Sequence, residues 1–178
     1  MHLTKLTLTN FRNYPAQTLD LAPGPILLLG PNAQGKTNIL EAIFLLATGR
    51  SERSTTDADF IAWSAVESDD PQPVARIVAE ASRTSGDVTV ELNIVGREGA
   101  HGIVASKRFR LNGVPKRAAD VFGAVTAVLF TTDDMDLVKG APAGRRRFLD
   151  VMLSQTDRAY TRALSRYNKV VTQRNVLL

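Results

Sequence analysis

Cysteine is absent from the 178 residues. Its absence excludes a disulfide framework, a thiolate metal site and a cysteine nucleophile, and it suits a reducing compartment. Histidine occurs only at positions 2 and 101. Two such isolated imidazoles make no ligand cluster, so neither His2 nor His101 takes a role and no metal site of His type is expected. Long apolar runs are missing too, and nothing approaches the roughly 18 consecutive apolar residues of a membrane span. The N-terminus, MHLTKLTLTNF, alternates apolar and polar residues, which predicts a strand rather than a signal peptide. A cytoplasmic protein with no membrane partner is the expectation. Acidic residues are scarce near the C-terminus: residues 138–178 hold 9 Lys/Arg against 2 Asp/Glu, whereas residues 1–137 hold 13 against 16. That asymmetry points to a polyanion near the C-terminal part, with a solvated basic helix face as the alternative.

What is present suffices for a globular core, since 44% of residues are hydrophobic. Leu3, Leu6 and Leu8 predict a first strand ending near Phe11. A turn is expected at PAQT (15–18), then a short strand from Leu19. The continuous apolar runs Ile26–Leu29 and Val125–Phe130 have the pattern of strands buried on both faces. Residues 37–47 place Ile39, Leu40, Ile43, Phe44 and Leu46 at helical spacing, with Gly49 as the stop. A short helix is expected at Ala58–Trp63. Partly alternating strands follow at 74–81, 88–95 and 107–111, with GREGAHG (96–102) read as a mobile turn and Asn112-Gly113 as a tight hairpin turn. Pro142 opens a helix, and Asp157 caps another. On that last helix Tyr160, Leu164, Tyr167 and Val171 share one stripe, opposite Arg158, Arg162, Arg166 and Lys169. The helical pattern reaches Leu178 with no Gly or Pro terminator, so the sequence reads as cut short there.

Between the first apolar run and the first helix lies GPNAQGKT (30–37), a match to G-x-x-x-x-G-K-[ST]. Glycines at 30 and 35 let successive backbone N–H groups turn inward, making an anion cradle at a helix N-terminus. Lys36 then reaches the β- and γ-phosphates, and the Thr37 hydroxyl ligates Mg²⁺. Gly30, Pro31, Asn32, Ala33, Gln34, Gly35, Lys36 and Thr37 are therefore the candidate ATP-binding residues. A strand before the loop and a helix after it are the context this motif requires. A phosphate loop alone names no reaction, because it serves kinases, GTPases, helicases and transport ATPases alike.

Three further segments narrow the field: NFRNY (10–14), the extended loop GPNAQGKTNILEAI, and APAGRRRFLD (141–150). GRSERSTTDADFI (49–61) and RYNKVVTQRNVLL (166–178) add to them. With these the chain resembles the N-terminal half of the RecF family of DNA replication and repair proteins, relatives of the SMC ATPases. The resemblance implies an α/β fold, a P-loop NTPase of ABC-ATPase-head type whose first lobe has a mixed sheet with an antiparallel part. It implies a head portion over residues 1–153 and the start of a helical arm lobe over 154–178. It also implies ATP and Mg²⁺ as cofactors, an ATP-driven homodimer, ATP-dependent binding of duplex or gapped DNA, and work with RecO and RecR in loading RecA during repair, replication and the SOS response. Arg12 and Asn13 would lie near the nucleotide, a polar turn being the other reading.

Departures accompany the resemblance. FTTDDMDLVKGAP (130–142) stands where the family more usually has a Ser-Pro-Glu-Asp-like run, so Thr132, Asp133 and Asp134 are the candidates for sensing Mg²⁺ and water. Asp133 or Asp134 could equally cap a short helix. Glu52 stands where a large apolar residue is commoner. The family's ABC signature, acidic Walker B strand and water-positioning residue have no counterpart in residues 1–178. ATPase activity is thus expected of a complete RecF-type protein and not of this chain alone. Arg145, Arg146 and Arg147 have two readings, as contacts to DNA or the nucleotide, or as partners of Asp150 and covers of the core. The stripe of Arg158, Arg162, Arg166 and Lys169 is the candidate DNA lining, with no aromatic on its face for base stacking. An SMC-like ATPase of another role and a non-hydrolysing nucleotide-gated DNA-binding module stay open as alternatives.

Overall fold

The alternation in the first eleven residues builds strand β1 (His2–Phe11), which turns at once into β2 (Tyr14–Asp20). Leu6 and Leu8 point to the buried side, where both are fully inaccessible. The turn is made by Arg12-Asn13, with Arg12 at φ 54°, so PAQT lies within β2 and is not the turn. Pro15 is tolerated because β2 is an edge strand. Four more strands complete the sheet: β3 (Val74–Ser82), β4 (Val88–Gly99), β5 (Gly102–Leu111) and β6 (Val114–Lys116). Their order is β2-β1-β3-β4-β5-β6, and every neighbouring pair is antiparallel. The computed structural model describes all residues except Glu52, Asp69, His101 and Leu178, and gives Asp133 and Asp136 by backbone alone. The expectations for Glu52, His101 and the Asp133 side chain therefore lie outside the described residues.

One face of the sheet carries the core. Leu8, Ile77, Leu92 and Phe109 lie in register across four strands and are buried. Helix α1 (Lys36–Thr48) lies against this face through Ile39, Ala42, Leu45 and Leu46. It ends as expected, with Gly49 at φ 69° returning its N–H to Leu45. The expected helix over 58–63 is instead a 3₁₀ turn (Asp57–Phe60) followed by helix α2 (Trp63–Val66). Its Phe60 stacks on Phe11 at 6.0 Å. GREGAHG is mostly ladder rather than mobile turn, since β4 and β5 pair out to Gly99 and Gly102. Asn112 and Gly113, at φ 49° and 78°, make the tight turn into β6.

On the opposite face Glu91 accepts hydrogen bonds from Arg76 (2.9 Å) and Asn93 (2.8 Å). The Arg76 bond foremost holds the Glu91 carboxyl below its ordinary value, against the desolvation that pushes it up. A depressed carboxylate stabilises the fold above the unfolded-state value, and that contribution is lost as pH falls through the folded-state value. Glu91→Gln is expected to lower Tm at pH 7 by about 2 °C, a modest loss for a half-exposed pair. In thermal melts the difference from wild type should shrink as pH falls below the ordinary carboxylate range.

The remaining helices are α3 (Ala118–Val121), α4 (Asp136–Lys139) after a 3₁₀ turn (Thr132–Met135), α5 (Pro142–Thr156) and α6 (Arg158–Leu177). Asp157 separates the last two and accepts the Ala159 N–H at 2.7 Å, the expected cap. Both apolar runs read as buried strands are corrected. Ile26–Leu29 and Val125–Phe130 enter no sheet among the described residues. Leu27, Leu29 and Phe130 are about four-fifths exposed, at 78%, 80% and 79%. The described sheet accordingly has no parallel part, and the mixed character expected of it is not formed within these residues. Among the described residues no helix is long and apolar enough to cross a membrane.

Candidate nucleotide-binding site

The loop 30–35 leads from the extended run 25–29 into α1. Positive φ at Gly30 (148°), Ala33 (66°) and Gly35 (96°) bends it back on itself. The left-handed turn at Gly35 is the N-cap of α1, and its carbonyl accepts the Asn38 and Ile39 N–H groups at 2.8 and 3.2 Å. Glycine is required there for a second reason. A Cβ on Gly35 would meet the Asn13 amide at 2.6 Å and the Tyr14 hydroxyl at 2.7 Å. Backbone N–H groups of residues 32–37 donate no hydrogen bond among the described residues, which leaves them available to an anion. Lys36 folds over the loop, with Nζ donating to the Gly30 and Pro31 carbonyls at 2.7 and 2.5 Å. A phosphate arriving at the N–H groups gives that ammonium a stronger, ionic acceptor. The donor set therefore fits the phosphates of a nucleoside triphosphate.

Asn13 and Arg12 differ in what they do. Asn13 lies on the loop: its amide donates to the Gln34 carbonyl (3.3 Å) and accepts from Asn38 (2.8 Å). Tyr14, which the sequence reading did not single out, stands beside it with its hydroxyl 3.5 Å from the same carbonyl, and burial raises that hydroxyl above its ordinary value. Arg12 has other partners. Its guanidinium makes a two-point pair with Glu41, Nε to Oε2 at 3.1 Å and Nη2 to Oε1 at 2.8 Å. It also donates to the Asp59 carbonyl (2.9 Å) and to Ser54, and lies 5.0 Å from the Phe60 ring centroid. Within this structure Arg12 braces α1 against the 57–60 turn.

Glu41, Ser51 and Arg53 were missed as a group. Glu41 is 3% exposed and accepts from Arg12, from Ser51 Oγ (2.6 Å) and from Arg53 Nη1 (3.4 Å). Arg53 also donates to Asn38 at 3.0 Å, so the network reaches the phosphate loop's own helix. A carboxylate at position 41, among the apolar residues of α1, was the available signal. Glu41, Ser51 and Arg53 line a cavity of about 400 Å³ with Thr37, Leu40, Phe44 and residues 129–132. Thr132 thus lies on the same cavity as the Thr37 hydroxyl that would hold Mg²⁺. Asp134 instead accepts the Thr131 N–H, a local capping contact. No group of three or more His, Cys, Asp or Glu suited to a metal occurs among the described residues.

The basic residues divide. Arg145 donates to the Leu137 and Gly140 carbonyls at 3.2 and 3.0 Å, closing the end of α4. Arg146 and Arg147 line a cleft between α5 and α6 that also involves Arg50, Tyr160 and Tyr167. Asp150 pairs with none of the three arginines among the described residues and accepts the Tyr160 hydroxyl at 2.5 Å. This bond raises the Tyr160 hydroxyl above its ordinary value. Arg158, Arg162, Arg166 and Lys169 lie exposed along α6.

A helix-backed phosphate loop packed on an antiparallel sheet defines a P-loop ATPase head of the ABC type. The chain matches the family model "AAA domain" over residues 5–135. It is 46% identical over 181 aligned residues to a DNA replication and repair protein RecF of Chloroflexus aggregans, covering 100% of this chain and 46% of that one. A solved structure of the recombination mediator protein RecF-ATP in the RecFOR pathway superposes with TM-score 0.77 at 31% identity, over 98% of this chain and 44% of that one. The SMC head domain from Thermotoga maritima, at TM-score 0.52, 23% identity, 71% of this chain and 43% of that one, shares the fold. The chain belongs to the AAA-domain family and is similar over its whole length to the N-terminal half of RecF proteins. It spans about half the length of the curated relatives it matches.

Proposed function

We propose that this chain supplies the ATP-binding part of a RecF-type DNA replication and repair ATPase. The observation that carries the reading is the loop itself: free N–H groups at 32–37, positive φ at both glycines, and Lys36 poised over the turn. Gly30 through Thr37 hold the triphosphate, Thr37 holds Mg²⁺, and Asn13 fixes the loop from outside. Mg²⁺, when bound, neutralises charge on the β- and γ-phosphates. Arg12 serves the site indirectly through Glu41. Titration calorimetry with Mg-ATP tests the assignment, since the reading requires binding that Lys36→Ala removes.

The proposal extends to the biological role. ATP drives two such heads together, the dimer binds duplex DNA at gaps, and RecO and RecR cooperate with it in loading RecA. Residues 154–178 then begin an arm lobe whose α6 carries Arg158, Arg162, Arg166 and Lys169 along the DNA, with Arg146 and Arg147 at its base. Each neutralised phosphate contributes about 0.9 to the slope of log K against log salt. Replacing the four α6 cations by Gln is therefore expected to weaken binding of gapped duplex and to flatten that slope by up to about 3.6 units. An unchanged slope in fluorescence anisotropy would remove α6 from the DNA surface.

A further inference from the structure

Gln155 is a buried polar residue away from the phosphate loop. It is 7% exposed at the end of α5, and its amide makes a two-point contact with a single residue. Its Oε1 accepts the Ala127 N–H at 2.8 Å, and its Nε2 donates to the Ala127 carbonyl at 3.1 Å. The side chain thus pairs with the extended segment as a neighbouring strand would. Close approach is enforced nearby: Gly123 has φ 82°, and a Cβ there would lie 2.5 Å from the Gln155 carbonyl oxygen.

Both ends of this contact lead somewhere. Two residues after Ala127, the segment 129–132 forms a wall of the cavity that Thr37, Glu41 and Arg53 also line. On the other side, Thr161 of α6 is 8% exposed and donates to the carbonyls of Ser154 (2.9 Å) and Asp157 (3.1 Å). Two part-buried sets of hydrogen bonds, Thr161 to Ser154 and Gln155 to Ala127, thus meet at the adjacent residues 154 and 155, and the chain itself carries the link on from Ala127 to residues 129–132.

We propose that Gln155 is a positioning residue that couples occupancy of the phosphate loop to the base of α6. The proposal rests on the nucleotide reading above. A ligand that orders residues 129–132 tightens Ala127 against Gln155, and the tightening passes to residues 154–161. Because such coupling is reciprocal, a ligand on α6 acts back on nucleotide affinity by the same factor.

Hydrogen exchange with and without Mg-ATP tests it, on wild type, Gln155→Leu and Gln155→Glu. In wild type, nucleotide is expected to slow exchange in residues 158–163 by about tenfold, in the usual range of coupling between sites. Gln155→Leu keeps protection at residues 30–37 but loses it at 158–163. Gln155→Glu supplies both hydrogen bonds only when its buried carboxyl is protonated, so transmitted protection returns under mild acid and disappears at neutral pH. This variant, compared with itself at two pH values, decides alone should the leucine variant not fold. Transmission that survives in Gln155→Leu, or that ignores pH in Gln155→Glu, overturns the proposal. Wild type that binds Mg-ATP yet shows no change in α6 overturns it while leaving the nucleotide reading intact. Absence of binding overturns both.

Discussion

Lys36→Ala is expected to weaken Mg-ATP binding at least 100-fold while leaving Tm close to that of wild type. The two halves of this result have separate causes. In the ligand-free loop the ammonium donates only to the Gly30 and Pro31 carbonyls, which face solvent and accept water in its place. Removing it therefore leaves no buried group unsatisfied. With a triphosphate present, the same ammonium makes charge-assisted bonds to phosphate oxygens, worth about 1.5–3 kcal/mol each. Two of them account for a 100-fold or greater loss. Turnover is a different matter. Phosphoryl transfer needs a positioned water and further charge stabilisation, of which a phosphate loop supplies only part. The purified chain is expected to bind ATP and to release no phosphate above background. Phosphate release that Lys36→Ala abolishes would show that these residues contain a complete catalytic set.

Legibility in the sequence followed the range of the interactions concerned. Strand β1, helix α1 with its Gly49 cap, the Asn112-Gly113 hairpin and the α5–α6 break at Asp157 each depend on residues a few positions apart, and each stands where the pattern put it. The runs Ile26–Leu29 and Val125–Phe130 show the limit of that reasoning. Continuous apolarity says that a segment suits burial on both faces, but it does not say against what. The six-stranded sheet uses none of those residues, and Leu27, Leu29, Val128 and Phe130 stand in solvent. Relatives about twice as long carry residues that have no counterpart here. The PAQT segment was misread for a smaller reason: Pro15 suggests a turn, yet an edge strand tolerates proline and Arg12 supplies the positive φ three residues earlier.

In the candidate site, the bend of the phosphate loop into α1 was legible because its residues are consecutive, whereas the strand expected before it is not formed among the described residues. The bracing network was not legible, since Arg12, Glu41, Ser51 and Arg53 come from separate segments that only the fold brings together. Arg12, read either as a neighbour of the nucleotide or as part of a polar turn, stands in the turn after β1 with the Glu41 carboxylate of α1 as its partner. The arginines at 145–147 are adjacent in sequence, yet helical geometry fans them apart, and only Arg145 finds backbone carbonyls to cap.

Glu41→Ala is expected to be the most damaging single substitution at this site, lowering stability by about 3–5 kcal/mol. The carboxylate is 3% exposed and is the shared acceptor for two guanidinium groups and the Ser51 hydroxyl. Its removal leaves the Arg12 cation, itself only 20% exposed, with just the Asp59 carbonyl and Ser54. An uncompensated charge in that position costs far more than an exposed pair would. In a chain of this size the loss corresponds to a fall in Tm of about 10 °C. Glu41→Gln keeps one acceptor oxygen but turns a donor toward a cation, so a smaller fall is expected. Arg12→Lys should approach the alanine value, because an ammonium cannot make the two-point contact or lie flat over Phe60. A double-mutant cycle between positions 12 and 41 is then expected to give a coupling of at least about 2 kcal/mol. Nucleotide affinity falls with stability, since the same carboxylate holds Arg53, and Arg53 holds Asn38 beside the loop. Measured well below the melting temperature, ATP binding by Glu41→Ala should drop about tenfold, an intermediate loss that separates a brace from a phosphate ligand such as Lys36. A Tm within 2 °C of wild type would mean that water reaches Arg12 once the carboxylate is gone, and that the brace is not structural.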